Sequence, residues 1–483
     1  MERLLFVASE AYPLIKTGGL ADVAGSLPEV LRQQGMDVRL LLPGYQRILE
    51  SIEPPAEVAR FDVGGATVRI LATRLPGTEL ETWLLEHPLF SARPGDPYHN
   101  LEGEPWPDNA DRFALLSQVA AAIATAQAGL DWCPDVLHCN DWHTGLAIAL
   151  THLHERRPRT VFTIHSLAHM GLCDRPTFDR LGLPAQFWHD SALEFYDHCS
   201  FIKGGLVYAD YITTVSPTYA REICESPGGM GLEGLLSQRR ERLVGILNGI
   251  DSQVWNPATD PYLERCYSLD SLADKAHNKA ALQAALGLAP VDDRPLVGLV
   301  GRLVEQKGLE LILPVLAEIL ASPVQIVVLG TGDPGYEQQL KAFADDNPES
   351  MVVVLAYDES MAHRIEAGSD IFLMPSLFEP CGLNQLYSLR YGTLPLVRAV
   401  GGLVDTVVDS TSQALADGSA TGFVFQRPDA NDLLATVRRA CALWHDRSAW
   451  AKVQRNAMDQ DFSWQQSANR YRQLYDAAIE PGG

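Results

Sequence analysis

Short apolar runs of strand length recur along the whole chain, and most are followed by a glycine or polar loop and then by apolar residues at helical spacing. In the first half they are Leu4–Ala8, Val38–Leu42, Asp135–His138, Thr160–Ile164, Tyr211–Val215 and Leu243–Leu247. In the second they are Leu296–Val300, Gln325–Leu329, Met351–Leu355, Ile371–Met374, Leu394–Val397 and Gly422–Phe425. An unbroken apolar run suits a strand buried on both faces, and strands separated by helices build doubly wound parallel sheets. The pattern predicts an α/β chain whose ligands sit beyond the carboxyl ends of its strands. Its 483 residues exceed one ordinary core and suggest two or three domains. Trp255-Asn256-Pro257 and the polar stretch to Asp260 read as the boundary, and the alternating stretch Gly64–Leu85 reads as hairpin strands.

The segment Ser376–Gly402 carries the most chemistry. Pro375 ends the preceding strand, and Glu379, Pro380, Cys381 and Gly382 make a turn. Leu383, Leu386, Leu389 and Arg390 then keep helical spacing to Gly392, and Gly401-Gly402 opens a further helix. A helix start offers free N–H groups to an anion, and a carboxylate beside it suits sugar hydroxyls. Other strand-end residues in this half are Arg302, Lys307, Gly330 and Tyr357. Arg302 and Lys307 suit a diphosphate, Arg as a bidentate fork and Lys as a point charge. Solvated surface charge is the bland reading of both. The balance of 38 basic against 61 acidic side chains gives 38 − 61 = −23, and in so acidic a chain the anion site is the better reading. Helices are expected over Leu272–Leu286, Leu309–Leu320, Asp429–Leu443 and Trp464–Ala478.

In the first half, Lys16-Thr17-Gly18-Gly19 precedes a helix whose apolar face is Leu20, Val23, Ala24, Leu27 and Leu31. Glycine permits close backbone approach, and Lys16 adds a full charge at the helix start. The spacing matches neither a dinucleotide loop nor a P-loop, and a plain tight turn is the other reading. Arg93–Asn109 reads as a surface loop with an exposed Tyr98-His99 pair, Phe113–Ala128 as a buried helix, and Asn248-Gly249 as a tight turn. Asp141, His143 and His165 follow strands. With His138 they form a conceivable metal set, but one without the i, i+4 helical spacing of zinc enzymes.

The net charge of −23 argues against nucleic-acid or anionic-membrane binding. No run of 18 apolar residues is present, so no membrane span is expected, and Met1–Ala8 lacks signal-peptide features. Eight scattered cysteines without a C-x-x-C pair read as reduced cytosolic thiols, mostly core.

These motifs, in this order, resemble those of bacterial glycogen synthases and plant starch synthases. They are Lys16-Thr17-Gly18-Gly19-Leu20-Ala21-Asp22-Val23, Asn140-Asp141-Trp142-His143, Lys203-Gly204-Gly205, Thr214-Val215-Ser216-Pro217 and Asn248-Gly249-Ile250-Asp251. In the second half they are Arg302-Leu303 with Gln306-Lys307-Gly308, Glu379-Pro380-Cys381-Gly382-Leu383 and Tyr391-Gly392-Thr393-Leu394-Pro395. The resemblance implies the GT-B architecture, two Rossmann-like domains facing across a deep cleft. It implies residues 1–250 on the acceptor side, 251–463 on the donor side, and a terminal helix, 464–483, packing back on the first. It implies a retaining glucosyltransferase using ADP-glucose and an α-1,4-glucan in the cytoplasm, with no metal or other cofactor.

By the same resemblance, Lys16, Arg302 and Lys307 would hold the donor diphosphate, with Gly18 and Gly19 letting amides approach. Asp22 and Gly330 would belong to the same substrate-binding set. Glu379 would bind glucose hydroxyls, with Cys381, Gly382, Leu383 and Asn384 lining the pocket, and Tyr357 would meet adenine. His165 would lie near the transferred sugar, and Asp141, Asn248 and Tyr98 on the sugar and acceptor side. The chain departs from the family at His165-Ser166-Leu167-Ala168-His169-Met170-Gly171, where His-Asn-Leu-Ala-Tyr-Gln-Gly is usual. Asn384 stands where Thr is commoner, and Gly301 where Ser is common. Two alternatives stay open: transfer to a small acceptor such as glucose 1-phosphate, and a silent glucan-binding regulatory protein.

Overall fold

Each of the apolar runs forms a strand in the computed structural model, which describes residues 2–479. The chain divides into two units. Unit 1 runs to Gly249 and takes in the chain from Trp464 onward, and unit 2 is Ile250–Ser463.

Unit 1 contains β1 (Arg3–Val7), β2 (Asp37–Pro43), β3 (Ala56–Val63), β4 (Ala66–Arg74), β5 (Glu81–Glu86), β6 (Val136–Asn140) and β7 (Arg159–Ile164). A small antiparallel sheet of β8 (Leu172–Cys173), β9 (Glu194–Phe195) and β10 (His198–Ser200) follows, then β11 (Tyr211–Thr214) and β12 (Leu243–Gly245). The main sheet has nine strands in the order β12-β11-β7-β6-β1-β2-β5-β4-β3. It is parallel from β12 to β5, and β4 and β3 add an antiparallel edge. Strand order reverses between β1 and β6. The loops that leave these two neighbours go to opposite sides, and a crevice opens between them. Lys16–Gly19 follows β1 and Asp141 follows β6.

Unit 2 contains β13 (Leu296–Val300), β14 (Gln325–Leu329), β15 (Met351–Val354), β16 (Ile371–Met374), β17 (Leu394–Arg398) and β18 (Phe423–Phe425). They form one parallel sheet in the order β15-β14-β13-β16-β17-β18. Order reverses between β13 and β16, so the loops bearing Arg302 and Lys307 and the turn bearing Glu379 lie at the same kind of crevice. Beneath the sheet, Val297, Leu299, Ile326, Val328, Leu373 and Leu396 pack against helix residues such as Leu316, Val437 and Trp444.

Helix limits depart from the sequence reading where a local rule intervenes. Leu309–Leu320 is broken into Leu309–Ile312, a tighter turn at Leu313–Val315, and Leu316–Leu320. Pro314 supplies no N–H to continue the ladder. Phe113–Ala128 is instead Asn109–Ala124, and the segment Arg447–Met458 is a helix that the apolar pattern did not single out. In Gly19–Gln33 the expected face of Leu20, Val23, Ala24, Leu27 and Leu31 is buried. The terminal helix Trp464–Ile479 lies on unit 1. Ser467 Oγ donates to Leu247 O at 2.6 Å, Arg472 to Gln34 O at 2.7 Å, and the Tyr475 hydroxyl meets His138 Nδ1 at 2.7 Å. The expected continuation of this helix over 480–483 lies outside the described residues.

At the unit 2 crevice the backbone segments approach so closely that glycine is required. A Cβ on Gly401, where φ is 43°, would lie 2.0 Å from the Glu379 carbonyl oxygen, and one on Gly308 would lie 2.1 Å from Pro375 O. Gly401→Ala should therefore lower the melting temperature by roughly 4–8 °C, the equivalent of about 2 kcal/mol. Calorimetry checks this, and an unchanged Tm would show that the helix start at Gly401 adjusts freely.

Candidate active site

In unit 1 the strand-end residues form a connected polar cluster. Glu10 lies just beyond β1 and is 3% exposed. Its Oε2 accepts from Thr17 N at 2.5 Å and Thr17 Oγ1 at 2.8 Å, which fixes the path of the Lys16–Gly19 loop. Burial pushes the Glu10 carboxyl up to about 7, against the bonds from Thr17 and Gly18 that favour its anion. Lys16 Nζ lies 2.7 Å from Asp22 Oδ1. Gly18 stands before the helix in an extended conformation, and Gly19 is the first helical residue.

Asp141 plays the matching part after β6. Its Oδ1 accepts from His165 N at 2.7 Å and Ser166 N at 3.4 Å, which ties the end of β6 to the loop after β7. Burial raises its carboxyl to about 7, and Glu10 adds to the shift. Asp141 has φ of 55°, a left-handed conformation that costs a non-glycine residue about 1–3 kcal/mol and occurs mostly where function holds it. The His165 ring is pushed down to about 3 by burial and is therefore neutral at ordinary pH. Asn140 Nδ2 donates to Val7 O, so Asn140 Oδ1 faces His165 Nε2 at 3.0 Å. Nε2 thus carries the proton, and the Nδ1 lone pair is the free face of the ring.

Tyr98 departs from the expectation of an exposed Tyr-His pair. It is half-buried, its hydroxyl lies 2.7 Å from Ser9 Oγ, and its ring stacks on His143 with centroids 4.9 Å apart. His143 is buried with no partner on Nδ1 among the described residues. Asn248, expected in a tight turn, runs on without one, and its buried Oδ1 has no partner among the described residues. A buried orphan acceptor invites a donor such as a sugar hydroxyl. His138 belongs elsewhere. It is fully buried between Tyr475 OH and Thr163 Oγ1, and burial lowers its ring to about 3. Among the described residues, no group of three or more His, Cys, Asp or Glu is placed to hold a metal ion.

In unit 2, Lys307 Nζ meets Glu379 Oε2 at 2.6 Å across the β13/β16 crevice. Ser376 Oγ donates to the same oxygen at 3.1 Å. Leu377 N donates to Gln306 O and Gln306 Nε2 to Phe378 O, so the two loops are zipped together. Arg398, at the end of β17, donates to the Ser376 and Leu377 carbonyls from below. Arg302 is exposed one residue beyond Gly301. Gly330 packs directly on Gly301, where a Cβ would lie 1.9 Å from the Gly301 carbonyl oxygen. Cys381 is buried, Gly382 has φ of 74°, and Leu383 packs on the unit 2 core. Asn384 Nδ2 donates to Val300 O at 2.8 Å, tying the helix start to the end of β13. Tyr357 is 80% exposed.

Sequence reasoning passed over Glu10, Asn140, Ser376 and Arg398 as supports of these loops. All four lie at or just past strand ends. The rule that found Asp141 would have found them had it been applied to every strand.

Two Rossmann-like units, one with a cation and a carboxylate paired across its switch-point loops, are the architecture of a glycosyltransferase of the GT-B class. Residues 3–238 match the family described as starch synthase catalytic domain, and residues 287–457 match glycosyl transferases group 1. The chain is 52% identical over 480 residues to the glycogen synthase of Cellvibrio japonicus, covering 98% of this chain and 99% of that one. It is 51% identical over 477 residues to glycogen synthase 1 of Methylococcus capsulatus, covering 99% and 97%. The catalytic domain of starch synthase IV from Arabidopsis thaliana, solved with ADP and acarbose, superposes with a TM-score of 0.89 at 31% identity, covering 99% of both chains. The chain belongs to the family of glycogen and starch synthases.

Glu10→Gln keeps the shape of the loop support but removes the anion, and should lower kcat/KM about tenfold or more. Protonation of Glu10 weakens the same support, so kcat/KM should fall as pH drops through about 7. In Glu10→Gln the remaining ionisation, that of Asp141, should move to lower pH because a neighbouring negative charge is gone. A pH–rate profile identical to that of the parent would count against this support.

Proposed function

We propose that this protein transfers glucose from ADP-glucose to the non-reducing end of an α-1,4-glucan with retention of configuration, in the cytoplasm and without a metal or other cofactor. The observation that carries the reading is the Lys307–Glu379 pair, a cation and a carboxylate held 2.6 Å apart at the unit 2 switch point of a chain about half identical, end to end, to glycogen synthases.

Breaking the bond between C1 and the phosphate oxygen puts positive charge on the sugar ring and negative charge on the leaving diphosphate. Lys307 and Arg302 meet the diphosphate, and Lys16 adds a third cation. A charge already fixed where negative charge develops lowers the barrier without reorganisation. Glu379 accepts from glucose hydroxyls, while Cys381, Gly382 and Leu383 shape that pocket, Asn384 ties it to β13, and Gly330 lets the neighbouring turn approach. The exposed Tyr357 ring offers adenine a face. Gly18 and Gly19 present amides at the helix start beside Lys16, and Asp22 positions the Lys16 ammonium.

On the acceptor side, Asp141 holds the His165 loop, Asn248 offers its orphan oxygen, and Tyr98 stacks nearby. His165, neutral with its proton on Nε2, presents backbone and a lone pair to the anomeric region rather than a charge. With no carboxylate assigned as nucleophile, the reading is a same-face substitution in which the leaving phosphate assists the acceptor hydroxyl.

The test is product analysis with ADP-glucose and either a maltooligosaccharide or glucose 1-phosphate, each with and without EDTA. Chain extension of the oligosaccharide, undiminished by EDTA, is expected. A phosphorylated disaccharide as the main product, or activity lost to EDTA and restored by a divalent ion, would overturn the reading. Lys307→Ala should lower kcat by about 10²–10³, more than it raises KM, with Tm within a few degrees of the parent. A kcat within about threefold of the parent would remove Lys307 from the chemistry.

A further inference from the structure

The small sheet of unit 1 sets two cysteines directly opposite each other, Cys173 on β8 and Cys199 on β10, in an antiparallel register. No other strand pairing among the described residues faces one cysteine with another. Directly opposed residues of an antiparallel pair have Cα atoms about 4.5–5.5 Å apart, inside the 4.4–6.8 Å that a disulfide spans. Both are free thiols here.

We propose that Cys173 and Cys199 form a reversible oxidation site, in which Cys173 attacks a small-molecule disulfide and Cys199 resolves the mixed disulfide. This goes beyond the transferase reading and does not depend on it. The two thiols are not equivalent. Cys173 is 7% exposed on a strand whose neighbour Leu172 is 50% exposed, whereas Cys199 is 0% exposed in the middle strand. The two side chains interact with each other across the strand pair. A more accessible thiol beside a fully buried, resolving one is the arrangement that reversible oxidation needs.

The step balances as two exchanges. The Cys173 thiolate attacks one sulfur of the disulfide RSSR, forming Cys173–S–S–R and releasing RS⁻, which takes up a proton. Cys199, losing its proton, attacks the Cys173 sulfur, and the second RSH leaves. The pair loses two electrons and the small disulfide is reduced to two thiols.

The cross-link would lie at the anchor of the loop after β7. Phe201 N donates to Gly171 O and Ile202 N to Met170 O, and Ser200 Oγ also donates to Met170 O. The disulfide would lock the small sheet that holds the far end of His165–Gly171.

The experiment uses the full-length protein equilibrated with oxidised glutathione, then denatured and alkylated with N-ethylmaleimide. Mass spectrometry should find a peptide linking Cys173 to Cys199, reversed by a dithiol, and the oxidised protein should melt several degrees higher than the reduced one. In Cys199→Ser the glutathione adduct should be trapped on Cys173, while in Cys173→Ser position 199 should stay unmodified. Full alkylation of both thiols in the oxidised parent, linkage of either to a different cysteine, or a trapped adduct on Cys199 instead of Cys173 would overturn the proposal. The parent mapping decides the matter even where a serine variant folds poorly.

Discussion

The reversal of strand order is the constraint on which both clusters depend. A crossover that keeps its direction covers the strand end it leaves with the next helix. Where direction changes, at β1/β6 and β13/β16, neighbouring strand ends have loops going to opposite sides, and the end of the sheet stays open. Glu10 with Lys16–Gly19 and Asp141 border one opening. Arg302, Lys307 and Glu379 border the other. Hydrophobic strands fix these positions rigidly, so a polar group added at their ends inherits a precision no free loop could supply.

At the second opening the loops are drawn together by backbone contact as well as by charge. Gly308 passes over Pro375, Gly330 over Gly301, and Gly401 and Gly402 over the Glu379–Cys381 carbonyls. Each is an approach that a Cβ would prevent. Lys307 and Glu379 then face each other without freedom to drift. In water such a pair contributes little, because two long side chains must be ordered to make it. Here ordering comes from the packed loops, Ser376 and Arg398, so the pair is a device for holding a cation in position more than a source of stability.

The strands were legible because a run buried on both faces must be apolar throughout, and that pattern survives any tertiary arrangement. The charged motif residues were legible because a strand end is a recognisable place. What the sequence hid was dependent on partners. Tyr98 reads as exposed in a loop rich in Pro, Gly and Asn, yet Ser9 and His143 draw it inward. His138 reads as a fourth ligand beside Asp141 and His143, but both of its ring nitrogens are already claimed, by Tyr475 of the terminal helix and by Thr163. The helix at Leu309–Leu320 reads as continuous because its apolar spacing is sound, and only Pro314 reveals the break. In each case the local pattern was right about polarity and silent about the distant residue that decides orientation.

Glu10 and Asp141 show what the arrangement costs. Both carboxyls are raised to about 7, so the folded chain binds their protons more tightly than the unfolded chain does. The stability they contribute is present below about pH 4 and is lost as pH rises through 7, where the fold must accommodate two buried anions near each other. Yet the anions are the forms that accept the Thr17, His165 and Ser166 N–H groups and so order the two loops. Stability and loop order therefore pull in opposite directions across neutral pH. A sequence optimised only to fold would replace both residues with neutral hydrogen-bonding side chains. Keeping carboxylates there is the mark of a site in which loop position matters more than a few kcal/mol of stability.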